Sequence, residues 1–172
     1  MTRSLLVLCW LLTAPLQASA QALEHELKAA YLFRFLSFIE WPTLRADNTP
    51  LTIGVMGADE VLAELQDIVP GRAVQGRSVN VRRVREGESP AGLQMLFVGR
   101  AAAAVLSKLP QTQGTVVVSD ADAALDRGAA IGFVRSEGRV RFHVSLDAAE
   151  RQGVSISSRM LSVAEQVRGR RL

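Results

Sequence analysis

The sequence predicts an α/β fold: a single three-layer domain with a mostly parallel central sheet, an antiparallel edge hairpin, and helices on both faces. Three observations carry this. Short apolar runs alternate with segments of helical periodicity, which is the pattern of a helix-flanked parallel sheet. Two of those runs, Met95 to Val98 and Thr115 to Ser119, have almost no polar alternation, as strands covered on both faces do. Ser136-Glu137-Gly138 joins two alternating stretches, Ala130 to Arg135 and Arg139 to Ser145, as a tight hairpin.

Before the domain comes a different kind of segment. Arg3 gives a positive start, Leu5 through Leu12 is apolar and uncharged, and Pro15 breaks the run. Ala18-Ser19-Ala20 then reads as a small-x-small cleavage site, with Gln21 as the new N-terminus. That order is the order of a secretory signal peptide. A spanning helix needs roughly 20 apolar residues, and this run is much shorter. The expected organisation is therefore a signal peptide at 1–20 and one domain at 21–172. Removing 20 of the 172 residues leaves 152, a single-domain length.

The only cysteine, Cys9, lies in the apolar run and not at the cleavage point, so a lipid anchor is not expected. Its loss leaves no thiol, which excludes disulfides, thiolate metal sites and cysteine catalysis. Removing Arg3 leaves 19 basic residues against 17 acidic ones, a net charge of +2. So small and scattered an excess does not point to nucleic acid.

Residues 23–39 read as the first helix. Leu23, Leu27, Ala30, Tyr31, Leu32, Phe35, Phe38 and Ile39 recur at three- and four-residue spacing, with Glu24, Lys28 and Arg34 on the polar side. Pro42 requires it to stop, and a polar loop follows over 43–50. Leu51 to Met56 is a strand ended by Gly57. Asp59 can cap the next helix, which buries Val61, Leu62, Leu65 and Ile68 and closes at Pro70-Gly71. Val79 to Val84 is a strand, Ala101 to Leu109 a helix, and Asp120 to Gly128 a short helix or ordered loop. Asp147 to Gln152 is a short helix. The last helix is expected over 158–168, with Met160, Leu161, Val163, Ala164 and Val167 as its apolar set.

Catalytic and cofactor signals are weak. The turn around Gly57 has neither the glycine spacing nor the Gly-Lys-Ser/Thr of a phosphate loop. Asp120, Asp122 and Asp126 cluster after a buried strand, but their spacing fits no calcium loop, and capping and solvation explain them. Neither His25 nor His143 has a serine placed beside it, and no Gly-x-Ser-x-Gly elbow exists. No catalytic residue, cofactor or metal is assigned. Tyr31, Phe33, Phe35, Phe38 and Trp41 crowd into eleven residues. Helical spacing places Tyr31, Phe35 and Phe38 in the core. Phe33 and Trp41 fall outside that stripe and can extend a binding surface. In the closing hairpin Val140, Phe142 and Val144 share one face, and Arg139, Arg141 and His143 the other. The partner-binding candidates are Phe33, Arg34, Trp41, Arg141 and His143.

Several of these pieces, in order, resemble the YfiR-like periplasmic proteins. They are Ala29 to Phe35 with Phe38-Ile39-Glu40-Trp41-Pro42, Leu51 to Gly57, Gly76 to Val79 with Arg82-Arg83, Met95 to Gly99, Gly114 to Asp120, Val140 to Val144, and Ser155 to Leu161. The resemblance implies a periplasmic regulator without enzymatic activity. Such a protein binds the periplasmic sensor domain of an inner-membrane diguanylate cyclase and lowers cyclic-di-GMP and biofilm formation. It implies an outer-membrane lipoprotein as a second partner, and a homodimer. The chain departs from the family at Leu93, where a cysteine is expected, at Gly128-Ala129 in place of Gly-Gly, and at Ser145 in place of Asn. Redox-sensitive folding is not carried over. The first rival reading is a small-molecule site at the carboxyl ends of the strands, near Gly57 and Ser119. The second is a hydrolase using His143.

Overall fold

The computed structural model describes residues 14–42, 49–110 and 113–169. Arg3, the Leu5 to Leu12 run and most of the expected 43–50 loop lie outside the described residues. The helices are α1 (Ala14–Phe35), α2 (Asp59–Ile68), α3 (Leu146–Arg151) and α4 (Ser158–Val163). The strands are β1 (Ile39–Glu40), β2 (Leu51–Met56), β3 (Ala73–Val74), β4 (Arg77–Arg83), β5 (Met95–Val98), β6 (Val116–Ser119), β7 (Ile131–Ser136), β8 (Arg139–Ser145), β9 (Ser155–Ile156) and β10 (Gln166–Arg168). Eight strands form one sheet in the order β10-β8-β7-β6-β5-β2-β4-β3, and β1 pairs with β9 apart from it.

The centre of the sheet, β4-β2-β5-β6-β7, is parallel throughout. The β7–β8 hairpin is antiparallel, with Phe133 opposite Phe142. Alternation along each central strand divides the side chains between two cores. Leu51, Ile53, Val55, Met95, Phe97, Val116 and Val118 meet α1, α2 and α3. Met56, Leu96 and Val98 meet Leu93, Ala102 and Leu106 on the opposite face. That second cover is a 3-10 helix, Arg100–Lys108, where a helix was expected over Ala101 to Leu109. Leu93 is buried there; a Cβ on Gly54 would lie 2.6 Å from its Cδ1.

Three elements differ from expectation for physical reasons. α1 ends at Phe35 and not at Ile39. Two turn bonds follow, from the Ser37 N–H to the Arg34 carbonyl and from the Phe38 N–H to the Phe35 carbonyl. The chain then becomes extended, and Ile39 is buried against Ile156 across the β1–β9 ladder. Asp59 is not a cap: Ala58 holds that position without a side-chain bond, and Asp59 lies in the first turn of α2, paired with Arg83. An acid there still opposes the positive helix end.

The last expected helix divides in two. Ser157 caps α4, its Oγ accepting from the Met160 N–H. Ala164 is extended, the Glu165 N–H donates to the Phe142 carbonyl, and Gln166 to Arg168 run parallel to β8 outside the hairpin. Val163 and Val167 are accordingly exposed, although their spacing looked like a buried stripe. Ser145 caps α3 through its Oγ and the Ala148 N–H, 3.2 Å apart.

Candidate functional site

The site begins with α1 as a two-sided element. Tyr31 and Phe35 pack against Phe142 and Phe133 with ring centroids 5.0 to 6.0 Å apart. That packing fixes α1 over β7 and β8 and leaves two open regions beside it, one at its C-terminal end and one at its middle.

At the C-terminal end, α1, β8 and α4 enclose a groove of about 610 Å³. Its floor is aromatic and aliphatic, from Tyr31, Phe38, Phe142 and Met160. Its walls carry Arg34, Arg141 and Arg159, and no acidic residue lines it. Among the described residues none of these three exposed guanidinium groups is held in an ion pair. Arg82, Arg83, Arg100, Arg135 and Arg168 are so held, while Arg72, Arg85, Arg127, Arg139 and Arg151 are, among the described residues, not; what sets the groove apart is that three such groups share one lining. Val163, 64% exposed, stands on the rim.

Beside the middle of α1, at Glu24 and Lys28, lies a cleft of about 450 Å³, beyond the carboxyl end of β6. Lys28 is only 5% exposed there. Its Nζ lies 2.7 Å from Glu24 Oε1 and donates to Asp120 Oδ2 at 2.6 Å. Arg135 meets the other Glu24 oxygen at 3.2 Å. Arg100 stands 3.6 Å from Asp122, and Arg168 donates to Asp126 at 2.9 Å. The Glu24 carboxyl is held below its ordinary value, first by the bond from Lys28, against the opposing effect of burial. Phe133, Val134 and Val140 form the apolar wall.

The predicted site residues scatter accordingly. Arg34 and Arg141 meet in the groove. His143 does not join them: it lines the cleft, with Nε2 3.4 Å from Glu165. Phe33 is half-buried beneath the Arg72 guanidinium, 5.6 Å from its ring centroid. Trp41 belongs to the core, 7% exposed, with its indole N–H donating to the Gln94 carbonyl at 3.2 Å. Ala20 and Gln21 are exposed residues within α1, which therefore includes the bond between them. Lys28 does not lie on a solvated polar face; Asp120 draws it inward. The three aspartates after β6 each take a separate cation. Among the described residues no group of three or more His, Cys, Asp or Glu could hold a metal ion.

The rival site near the strand ends divides as well. At Gly57 the backbone is left-handed, and a Cβ would lie 2.6 Å from that of Ala102. A Cβ on Gly99 would collide with the Gly57 carbonyl oxygen. The 3-10 helix therefore closes the end of β2 against β5 tightly, while the end of β6 stays open. Arg159 was not among the site candidates, and Val163 was expected in the apolar set of the last helix, because a helix over 158–168 would have turned Val163 to the core.

A family model described as YfiR/HmsC-like matches residues 25–165. The chain belongs to the YfiR/HmsC-like family. That family is regulatory and non-enzymatic, and its members act in the periplasm on cyclic-di-GMP signalling. No curated protein matches the chain. Among the described residues no helix is long and apolar enough to cross a membrane.

Proposed function

We propose that this chain is exported by cleavage between Ala20 and Gln21, then binds and represses the periplasmic sensor region of an inner-membrane diguanylate cyclase. Repression lowers cyclic-di-GMP. The observation that carries this reading is the groove between α1, β8 and α4. Three arginines with no ion-pair partner among the described residues, around an aromatic floor, suit a protein segment that brings its own carboxylates and an apolar side chain. Arginine over a desolvated apolar floor is also the usual composition of an interface hot spot. An outer-membrane lipoprotein competing for the same groove would lift the repression. A homodimer would have to leave the groove open or be displaced from it.

The test is capture of the 21–172 chain by the periplasmic domain of a candidate cyclase, together with cyclic-di-GMP levels in cells lacking the gene. Binding and a rise in cyclic-di-GMP are expected. Unchanged cyclic-di-GMP in cells known to express the gene would sink the proposal.

A further inference from the structure

The groove continues along α1 as an apolar ridge. Leu23, Leu27, Tyr31 and Phe35 stand four residues apart, so they form one of the rows by which helices pack against each other. The row winds inward along its length. Leu23 is 56% exposed, Leu27 is 40% exposed, Tyr31 is half-buried and Phe35 is buried. Tyr31 and Phe35 line the groove, so Leu27 and Leu23 carry its apolar surface further toward the N-terminal part of α1. Among the described residues the large exposed apolar side chains are Leu23, Leu27, Val163 and Val167. Three of those four therefore border one surface, since Val163 lines the groove.

The ridge restricts what can lie on it. Within a helix the backbone groups bond to each other, so α1 offers an occupant only side chains. An extended segment laid there would leave its N–H and C=O groups facing leucine without partners, which is costly. A helix satisfies those groups itself. From Leu23 to Phe35 the ridge rises about 18 Å, the length of three to four helical turns. Charge sets what the occupant carries at one end. Arg34, Arg141 and Arg159 gather where the ridge enters the groove, and no described residue in that lining is acidic. A second copy of the chain answers this poorly. Its α1 carries two carboxylates: Glu24, held by Lys28 and Arg135, and Glu26.

We infer that the occupant of the groove is an amphipathic helix of the partner protein, about three to four turns long. Its apolar face lies along Leu23, Leu27 and Tyr31, and its acidic end sits among Arg34, Arg141 and Arg159. This rests on the reading of the groove as the partner site.

Three synthetic peptides of about sixteen residues test the inference without the natural partner. One carries leucines at three- and four-residue spacing and ends in Glu-Glu-Asp. One has the same composition with the leucines alternated, the pattern of a strand. The third keeps the helical pattern with Lys in place of the acids. The first should bind the 21–172 chain at least about tenfold more tightly than either of the others, with amide shifts at Leu23, Leu27 and Arg159. Equal binding by the strand-patterned or the Lys peptide, or shifts confined to the groove, would overturn the inference. With the periplasmic domain of a cyclase as probe, Leu27→Glu should weaken capture by about tenfold or more and leave the thermal midpoint nearly unchanged. Leu23→Glu, at the more exposed position, repeats the measurement if Leu27→Glu is unstable. Undiminished capture of both variants, with capture lost when all three arginines are reversed, would sink the helix and leave the groove standing. Peptide binding as expected, with no cyclase domain captured, would sink the regulatory reading and leave the helix site standing. A dimer of the 21–172 chain that Leu23→Glu separates would put a second copy on the ridge and also overturn the inference.

Discussion

The groove and the cleft flank the same helix and contain the same kinds of residue, yet they are opposite electrostatic designs. In the groove three cations face solvent, and no described residue in its lining is acidic. In the cleft four cations and four acids satisfy each other. The first arrangement contributes little to folding and attracts a partner of opposite charge from a distance. The second ties α1, β7, β10 and the segment after β6 together and presents almost no net field. A surface left uncompensated faces outward to a partner, whereas a compensated one serves the fold first.

Lys28→Met should give the largest effect on stability. It leaves Glu24 and Asp120 without their shared cation, at a cost of about 3–5 kcal/mol. The midpoint of urea unfolding reads this directly; a loss under about 1 kcal/mol would mean that the buried ammonium is not what holds the two carboxylates.

Charge reversal in the groove should do the opposite. Arg34→Glu, Arg141→Glu and Arg159→Glu should each change stability by no more than about 0.5 kcal/mol, as exposed substitutions do. Combined, they should weaken partner binding by about a hundredfold or more, mostly through a slower and less salt-sensitive association. Surface plasmon resonance at two salt concentrations separates rate from affinity. If the triple variant binds as well as the wild type, the groove is not the interface.

A smaller effect distinguishes the two regions by pH. The folded-state pKa of Glu24 is depressed from 4.5, so its pairing stabilises the fold above that value. The contribution fades as pH falls below 4.5 and the carboxylate protonates in the folded protein too. Glu24→Gln should therefore be less stable than the wild type at pH 7, and the gap should narrow toward pH 3. Groove variants should show no such convergence. The least consequence is expected at Arg168→Ala, which removes a largely exposed pair with Asp126 and should cost about 0–1 kcal/mol.

The sheet was legible because its strands report themselves locally. Met95 to Val98 and Val116 to Ser119 are apolar without alternation, and the β7–β8 hairpin alternates around a glycine turn. What was not legible depends on partners distant in sequence. Lys28 reads as a surface residue of an amphipathic helix until Asp120, 92 positions away, is brought beneath it. Trp41 reads as an extra aromatic outside the helical stripe until the chain turns at Phe35 and buries it. Val163 and Val167 carry a helical spacing, yet the helix ends at Val163 and Val167 joins a strand, where the Glu165 N–H finds the carbonyl of Phe142. The groove was half visible: Arg34 and Arg141 were among the candidates, while Arg159 lay on an element whose end was misplaced.

The two-rung ladder of β1 and β9 has a consequence for recognition. Ile39 opposite Ile156, and Glu40 opposite Ser155, join the chain leaving α1 to the chain entering α4. Those are the two helices that carry Arg34 and Arg159. The ladder acts as a rivet at the base of a jaw, setting the span between two guanidinium groups before any partner arrives. Such a jaw loses little conformational entropy on closing around its target, and the partner must match a fixed gauge rather than mould a soft one.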